Sequence, residues 1–185
     1  MEQIIIKINE LLKTKKQVII SIDGCAASGK TTIAEKLSKL YSSDIIHMDH
    51  FFLPVELRTT ERLNEPGGNI HYERFKEEVI NNLGKPFSYN VYNCNKCCID
   101  SIKTINNTNL LIIEGSYSLH PFFGKYYDLS VFLDIDESLQ LERILNRDGE
   151  RILEMFKTKW LVYEHNYHEF YNLKQSSNIY IKVNK

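Results

Sequence analysis

A β-branched run, Val18-Ile19-Ile20-Ser21-Ile22, leads directly into Asp23-Gly24-Cys25-Ala26-Ala27-Ser28-Gly29-Lys30-Thr31-Thr32. Gly24 to Thr31 fit the spacing G-x-x-x-x-G-K-[ST], and Thr31 to Tyr41 carry helical periodicity through Ile33, Leu37 and Leu40. Strand, glycine-bounded loop and helix in that order constrain this chain more than any other feature. The glycines let the backbone curl so that successive N–H groups point inward, and the helix presents its positive N-terminus to the enclosed anion. The reading is a phosphate-binding loop made of Gly24, Cys25, Ala26, Ala27, Ser28, Gly29, Lys30, Thr31 and Thr32. Lys30 would reach the terminal phosphates of ATP, and the Thr31 hydroxyl would ligate Mg²⁺.

The rest of the chain fits this start. Residues 3–14 read as an amphipathic helix. Asp44 to Met48, Leu110 to Ile113, Leu129 to Leu133 and Ile179 to Val183 read as strands. Helical patterns cover Tyr72–Leu83, Ser138–Asn146 and Leu153–Tyr171. Residues 50–69 are irregular, and 87–105 are weakly patterned short strands. Strands alternating with helices predict one α/β domain over residues 1–185, three-layered, with a mainly parallel central sheet and helices on both faces.

Two carboxylates are candidates for the same edge of that sheet. Asp49 follows the second strand, which a βαβ unit would return beside the phosphate loop, and could accept a proton from an attacking hydroxyl. Glu114 closes the apolar run Leu110-Leu111-Ile112-Ile113 and could hold Mg²⁺ opposite Thr31. Arg143 and Arg147 are four residues apart on one helical face, with Gly149 beyond them. Their guanidinium forks suit phosphate oxygens, so residues 143–155 read as a lid. A guanine-reading N-K-x-D is missing: Asn95-Lys96-Cys97-Cys98 lacks the Asp. No D-x-x-G switch motif lies between the loop and Glu114 either, so the sequence argues against a G-protein switch.

Lysine and arginine number 23 against 24 acidic residues, so no bulk field points to nucleic acid or an anionic membrane. No apolar run approaches the roughly 20 residues that cross a bilayer. The N-terminus has no basic region followed by an apolar core, and four cysteines are too few for a disulfide scaffold. The expectation is a cytoplasmic protein with reduced thiols. Cys25 reads as a small loop residue, with a redox-sensitive thiol as the alternative. Cys94, Cys97 and Cys98 read as buried free thiols, because no second ligand pair completes a zinc site. His165 and His168, beside Glu164 and Glu169, could bind metal, but an aromatic helix face is the simpler reading. Trp160, Tyr163, Tyr167 and Phe170 read as core packing.

The ordered series resembles the uridine kinase and phosphoribulokinase-type branch of P-loop kinases. The matching pieces are Asp23 to Thr32, Met48-Asp49-His50-Phe51-Phe52, Glu65-Pro66-Gly67-Gly68-Asn69, Tyr72-Glu73-Arg74-Phe75, Ile113 to Pro121, Tyr127-Asp128-Leu129 and Arg143 to Gly149. The resemblance implies catalytic roles for Asp49, Lys30, Arg143 and Arg147, with ATP and Mg²⁺ as cofactors. It implies an acceptor site within residues 50–105, with Asp49, Phe51, Arg62, Glu65, His71 and Tyr92 as candidates. The implied acceptor is a small molecule, uridine, cytidine or a related nucleoside. Tyr92 is followed by Asn93, however, and no His lies between His71 and His120, so the family's pyrimidine-reading residues are incomplete. Phosphoribulose, pantothenate or another ribosyl compound therefore stay open as acceptors, as does a catalytically silent ATP-binding regulator. A homo-oligomer is also left open.

Overall fold

The computed structural model describes residues 1–106 and 108–184. In chain order the strands are β1 (Val18–Gly24), β2 (Asp44–His47), β3 (Phe87–Asn93), β4 (Cys98–Ile105), β5 (Leu110–Glu114), β6 (Leu129–Ile135) and β7 (Ile179–Val183). The helices are α1 (Glu2–Leu12), α2 (Lys30–Tyr41), α3 (Thr60–Asn64), α4 (Tyr72–Glu78), α5 (Glu137–Asp148), α6 (Glu150–Met155), α7 (Leu161–Phe170) and α8 (Leu173–Ser176). Five strands form a parallel sheet in the order β2-β5-β1-β6-β7, and β3 and β4 form a separate antiparallel hairpin.

Every residue of β1, β5 and β6 is buried. Covered on both faces, such strands read as near-continuous apolar runs, here interrupted by Ser21 and Asp23 in β1 and by Ser130 and Asp134 in β6. On one face Val18, Ile20, Ile22, Leu110, Ile112 and Val131 pack with Ile4 and Ile8 of α1 and Ala34 and Leu37 of α2. On the other, Ile19, Leu111, Ile113 and Phe132 pack with Phe51, Phe75, Tyr89, Tyr167 and Leu173. The α/β architecture with a parallel sheet between helical layers is therefore the one expected.

Local differences have local causes. The helix begun at Tyr72 stops at Glu78, not Leu83. Val79 and Ile80 are β-branched, and the Asn82 side chain donates to the carbonyls of Glu77 and Glu78, capping the end. The single helix expected over Leu153–Tyr171 is α6, a π-turn (Phe156–Trp160) and α7. Thr158 Oγ1 donates back to the Glu154 carbonyl at 2.8 Å, a bond that loosens the helical ladder. Residues 50–69 contain two 3-10 turns and the short α3, capped by Thr59. The strand β2 does not lie beside β1, because β5 stands between them.

The thiols of Cys94, Cys97 and Cys98 are exposed, not buried. They sit around the β3–β4 turn, where Asn93 Oδ1 accepts from the N–H groups of Asn95 and Lys96 and Cys97 takes a left-handed φ of 53°. Of the four aromatics assigned to the core, Tyr167 is fully buried, Phe170 is exposed, and Trp160 and Tyr163 are half-buried.

Candidate active site

Parallel strands deliver their C-terminal ends to one edge, and three of them end here in functional groups. Gly24 ends β1 and opens the loop, Glu114 ends β5, and His47 ends β2 in register with Glu114. Gly24 has φ 135°, and a Cβ there would stand 2.1 Å from the Leu133 carbonyl oxygen of β6. The loop therefore lies flat against the sheet edge only with glycine at this position. A cleft of about 880 Å³ opens over this edge.

Ala26, Ala27, Gly29, Lys30, Thr31 and Thr32 line one wall of the cleft. The Lys30 ammonium donates to the carbonyls of Gly24 (2.7 Å) and Cys25 (2.9 Å) and to Ser116 Oγ (3.2 Å). Thr31 Oγ1 lies 3.2 Å from both carboxylate oxygens of Glu114, so the residues assigned to the metal do meet. Sequence reasoning missed His47, whose Nδ1 is 2.6 Å from Glu114 Oε1. The residue could have been found by lining up the ends of the parallel strands.

Asp49 follows β2 in a 3-10 turn and also lines the cleft. Its side chain reaches solvent but stands in a recess of protein. That recess, and then the nearby Glu114 charge, push its pKa above the ordinary carboxylate value, with Lys30, His47 and Arg147 opposing. Arg143 and Arg147 come to the cleft from α5. Arg143 donates to the Ala27 carbonyl at 3.1 Å, while exposed Arg147 pairs with Asp148 at 2.8 Å.

Glu164, on α7, was not foreseen in this place. It is buried, its two oxygens accept from the Ala26 N–H at 2.8 and 2.9 Å, and one accepts from Ser116 Oγ at 2.8 Å. Gln140 Nε2 donates to it at 3.3 Å. The two residues are 138 apart in sequence, so no local pattern could join them.

Several expected acceptor residues are not brought to the cleft. Arg62 is held by Glu73 in a bidentate pair at 2.7 and 2.8 Å, by the carbonyls of Gly68 and Ile70, and against the Tyr72 ring. Glu65 accepts from the Tyr72 hydroxyl. His71 caps α4 through the Arg74 N–H. Phe51 is fully buried against Phe75 and Tyr89. Tyr92 is buried with its hydroxyl unpartnered among the described residues. Arg62, Glu65, His71 and Phe51 answer structural needs of this segment. The segment instead gives the cleft Phe52, Arg58, Leu63, Asn69, Cys94, Asn95 and Cys97. Tyr117, Phe156, Trp160 and Tyr163 complete its aromatic lining. Cys25 lines a different cavity, and burial, with Glu164 and Asp134 next, pushes its thiol up to about 12. A reactive thiolate is therefore not present there.

The model of the phosphoribulokinase/uridine kinase family matches residues 19–183. The chain belongs to this family. Relatives of this family member include a chloroplastic uridine/cytidine kinase of Arabidopsis thaliana, 23% identical over 72% of the chain and 30% of its own length. A pantothenate kinase of Ligilactobacillus salivarius is 29% identical, over 75% of the chain and 53% of its own length. A nicotinamide riboside kinase of Saccharomyces cerevisiae is 23% identical, over 78% of the chain and 71% of its own length. The chain thus spans a third to about half the length of the first two. Among solved structures, a possible uridine kinase from Bacillus stearothermophilus superposes with TM-score 0.69 at 18% identity, covering 97% of this chain and 99% of that one. Phosphoribulokinase from Rhodobacter spheroides superposes with TM-score 0.60 at 14% identity, over 91% and 71%. These two likenesses establish the P-loop kinase fold. Among the described residues no helix is long and apolar enough to cross a membrane.

Proposed function

We propose that this chain is an ATP-dependent phosphotransferase that moves the γ-phosphate to a hydroxyl of a small acceptor. The carrying observation is that Lys30, Thr31, Asp49 and Glu114, from three different strand ends, line one cleft. The oxygen-only pair of Thr31 and Glu114 fits Mg²⁺, a hard cation that keeps part of its water shell. The loop fits a polyphosphate: the first N–H groups of α2 have no partner within the helix, and Ser28 Oγ is buried and unpartnered. When bound, Mg²⁺ supplies charge neutralisation on the transferring phosphate.

The chain's own residues do the remainder. Lys30 would leave the carbonyls of Gly24 and Cys25 for phosphate oxygens. Arg143 and Arg147 would place cationic forks over the phosphates from α5, which makes residues 143–155 the lid. Asp49 Oδ would accept the proton of the attacking hydroxyl, and its raised pKa brings its basicity closer to that task.

For the acceptor we favour a nucleoside or related ribosyl compound. Phe52, Tyr117, Trp160 and Tyr163 wall the cleft and suit a flat ring. Asn69 Oδ1 is buried without a partner and lines the cleft, so it can receive an N–H or O–H of the acceptor. Asn69 and Arg58 replace Arg62, Glu65, His71 and Tyr92 as acceptor-reading candidates. The exposed free thiols of Cys94, Cys97 and Cys98 support a reducing compartment, the cytoplasm. The test is ADP release from ATP and Mg²⁺ across uridine, cytidine, nicotinamide riboside, pantothenate and sugar phosphates. Turnover with one acceptor supports the reading. ATP binding with no acceptor-dependent release would favour the silent regulator, as Glu164 seated on the loop does.

A further inference from the structure

Behind the phosphate loop, where Glu164 also reaches the wall of the cleft, three metal-ligating side chains converge. Cys25 comes from the loop, and Glu164 and His168 come from one face of α7, four residues apart. Their ligand atoms all lie within 4.8 Å of one another. His168 is 4% exposed, and its Nε2 is buried with no hydrogen-bond partner among the described residues. Asp23, whose pKa His168 helps to lower, stands 3.9 Å away, within ion-pair reach but beyond a full hydrogen bond. A buried imidazole nitrogen without a partner is a cost that a ligand would relieve. A cavity of about 310 Å³, lined by Cys25, His165, His168 and Lys174 among others, opens beside the cluster.

We propose that Cys25, Glu164 and His168 hold one borderline transition-metal dication, of which Zn²⁺ is the type, with solvent from the adjacent cavity as the fourth ligand. The donor set decides the metal class. Sulfur, imidazole nitrogen and one carboxylate oxygen suit Zn²⁺ or Co²⁺ and do not suit Mg²⁺ or Ca²⁺. Ligands of a tetrahedral zinc stand roughly 3.5 Å apart, so rotamer shifts of about 1 Å close the set. Each Glu164 oxygen already accepts two hydrogen bonds, so the metal would take the place of the longest, the 3.3 Å bond from Gln140 Nε2, while the Ala26 N–H stays. Forming the metal–sulfur bond displaces the thiol proton. The thiol already points it at Asp134 Oδ1, 3.4 Å away, from which it passes to solvent. The metal would staple the phosphate loop to α7, the helix behind the lid.

The test is titration of metal-free protein with Co²⁺ and Zn²⁺, followed by absorbance and by competition with a chromophoric chelator. The expected result is one equivalent of Co²⁺ giving a thiolate-to-cobalt charge-transfer band, bleached by Zn²⁺. Cys25→Ser should abolish the band, and His168→Gln should weaken Zn²⁺ binding at least tenfold. Glu114→Gln, in the other proposed metal site, should leave both unchanged. If His168→Gln does not fold, the wild-type band and Cys25→Ser still decide. Absence of the thiolate band, or Zn²⁺ affinity unchanged by Cys25→Ser, would overturn the site.

Discussion

The Glu164 carboxylate sits on the Ala26 N–H, with its oxygens 2.8 and 2.9 Å from the nitrogen. It places a negative charge on the wall of the loop proposed to receive polyphosphate. Glu164→Gln keeps the shape and one acceptor oxygen but removes that charge. ATP should then bind about tenfold more tightly, or about 1.4 kcal/mol. Calorimetric titration of both proteins with ATP checks this. An unchanged or weaker affinity would mean that Glu164 only braces the loop.

Arg74 ties the segment carrying Asp49 to the hairpin. It donates to the carbonyls of His50 and Asn90 and pairs with Glu78, whose carboxylate accepts from the Asn90 N–H and side chain. It also covers the Phe51 ring at 4.2 Å. Arg74→Met leaves Glu78 uncompensated in a partly buried place. Urea unfolding should show a loss of about 3 kcal/mol. Arg74→Met with Glu78→Leu should recover part of it, because the stranded charge is gone.

His50 carries a pH effect on stability. Burial and then the charge of His47 lower its pKa from 6.5 to about 4, and its Nδ1 lies 2.9 Å from the Tyr89 hydroxyl. The unfolded chain therefore takes up a proton near pH 6.5 that the folded chain refuses until about pH 4. Its contribution is complete above pH 6.5 and is lost as pH falls through that window. Melting temperatures from pH 7 to 4 should fall, and His50→Gln should flatten the fall. An equal slope in both would remove His50 as its source.

Asp49 carries a pH effect on rate. A base must be ionised, and the recess and Glu114 raise its pKa. The acid limb of kcat/KM should therefore rise with pH through a midpoint above the ordinary value of about 3.9. A midpoint at or below that value would contradict the assignment.

What was legible in the sequence follows contact range. The loop Gly24 to Thr31, the Glu114 strand end and the parallel sheet are short-range patterns, and each appears where the residues placed it. The Glu164–Ala26 contact joins distant residues and left no local trace. The acceptor segment misled for a different reason. Arg62, Glu65 and His71 carry chemistry that suits a ligand, yet Arg62 and His71 satisfy the segment's own backbone and Glu65 accepts from the Tyr72 hydroxyl. Asn69, read only as part of a motif, is a cleft-lining polar group left without a partner among the described residues. The turn of helix at Phe156–Trp160 has the same lesson: its pattern is helical, but the π-turn brings Trp160 and Tyr163 to the cleft instead of the core.

The central claim is that Asp49 takes the acceptor proton within a cleft whose phosphate loop works independently of it. The direct measurement is single-turnover phosphoryl transfer by Asp49→Asn, beside its ATP affinity. Asparagine keeps the size and removes the basic oxygen. The account predicts ATP affinity within about threefold of wild type and transfer slowed by about 10²–10⁴-fold. Transfer at the wild-type rate would contradict it.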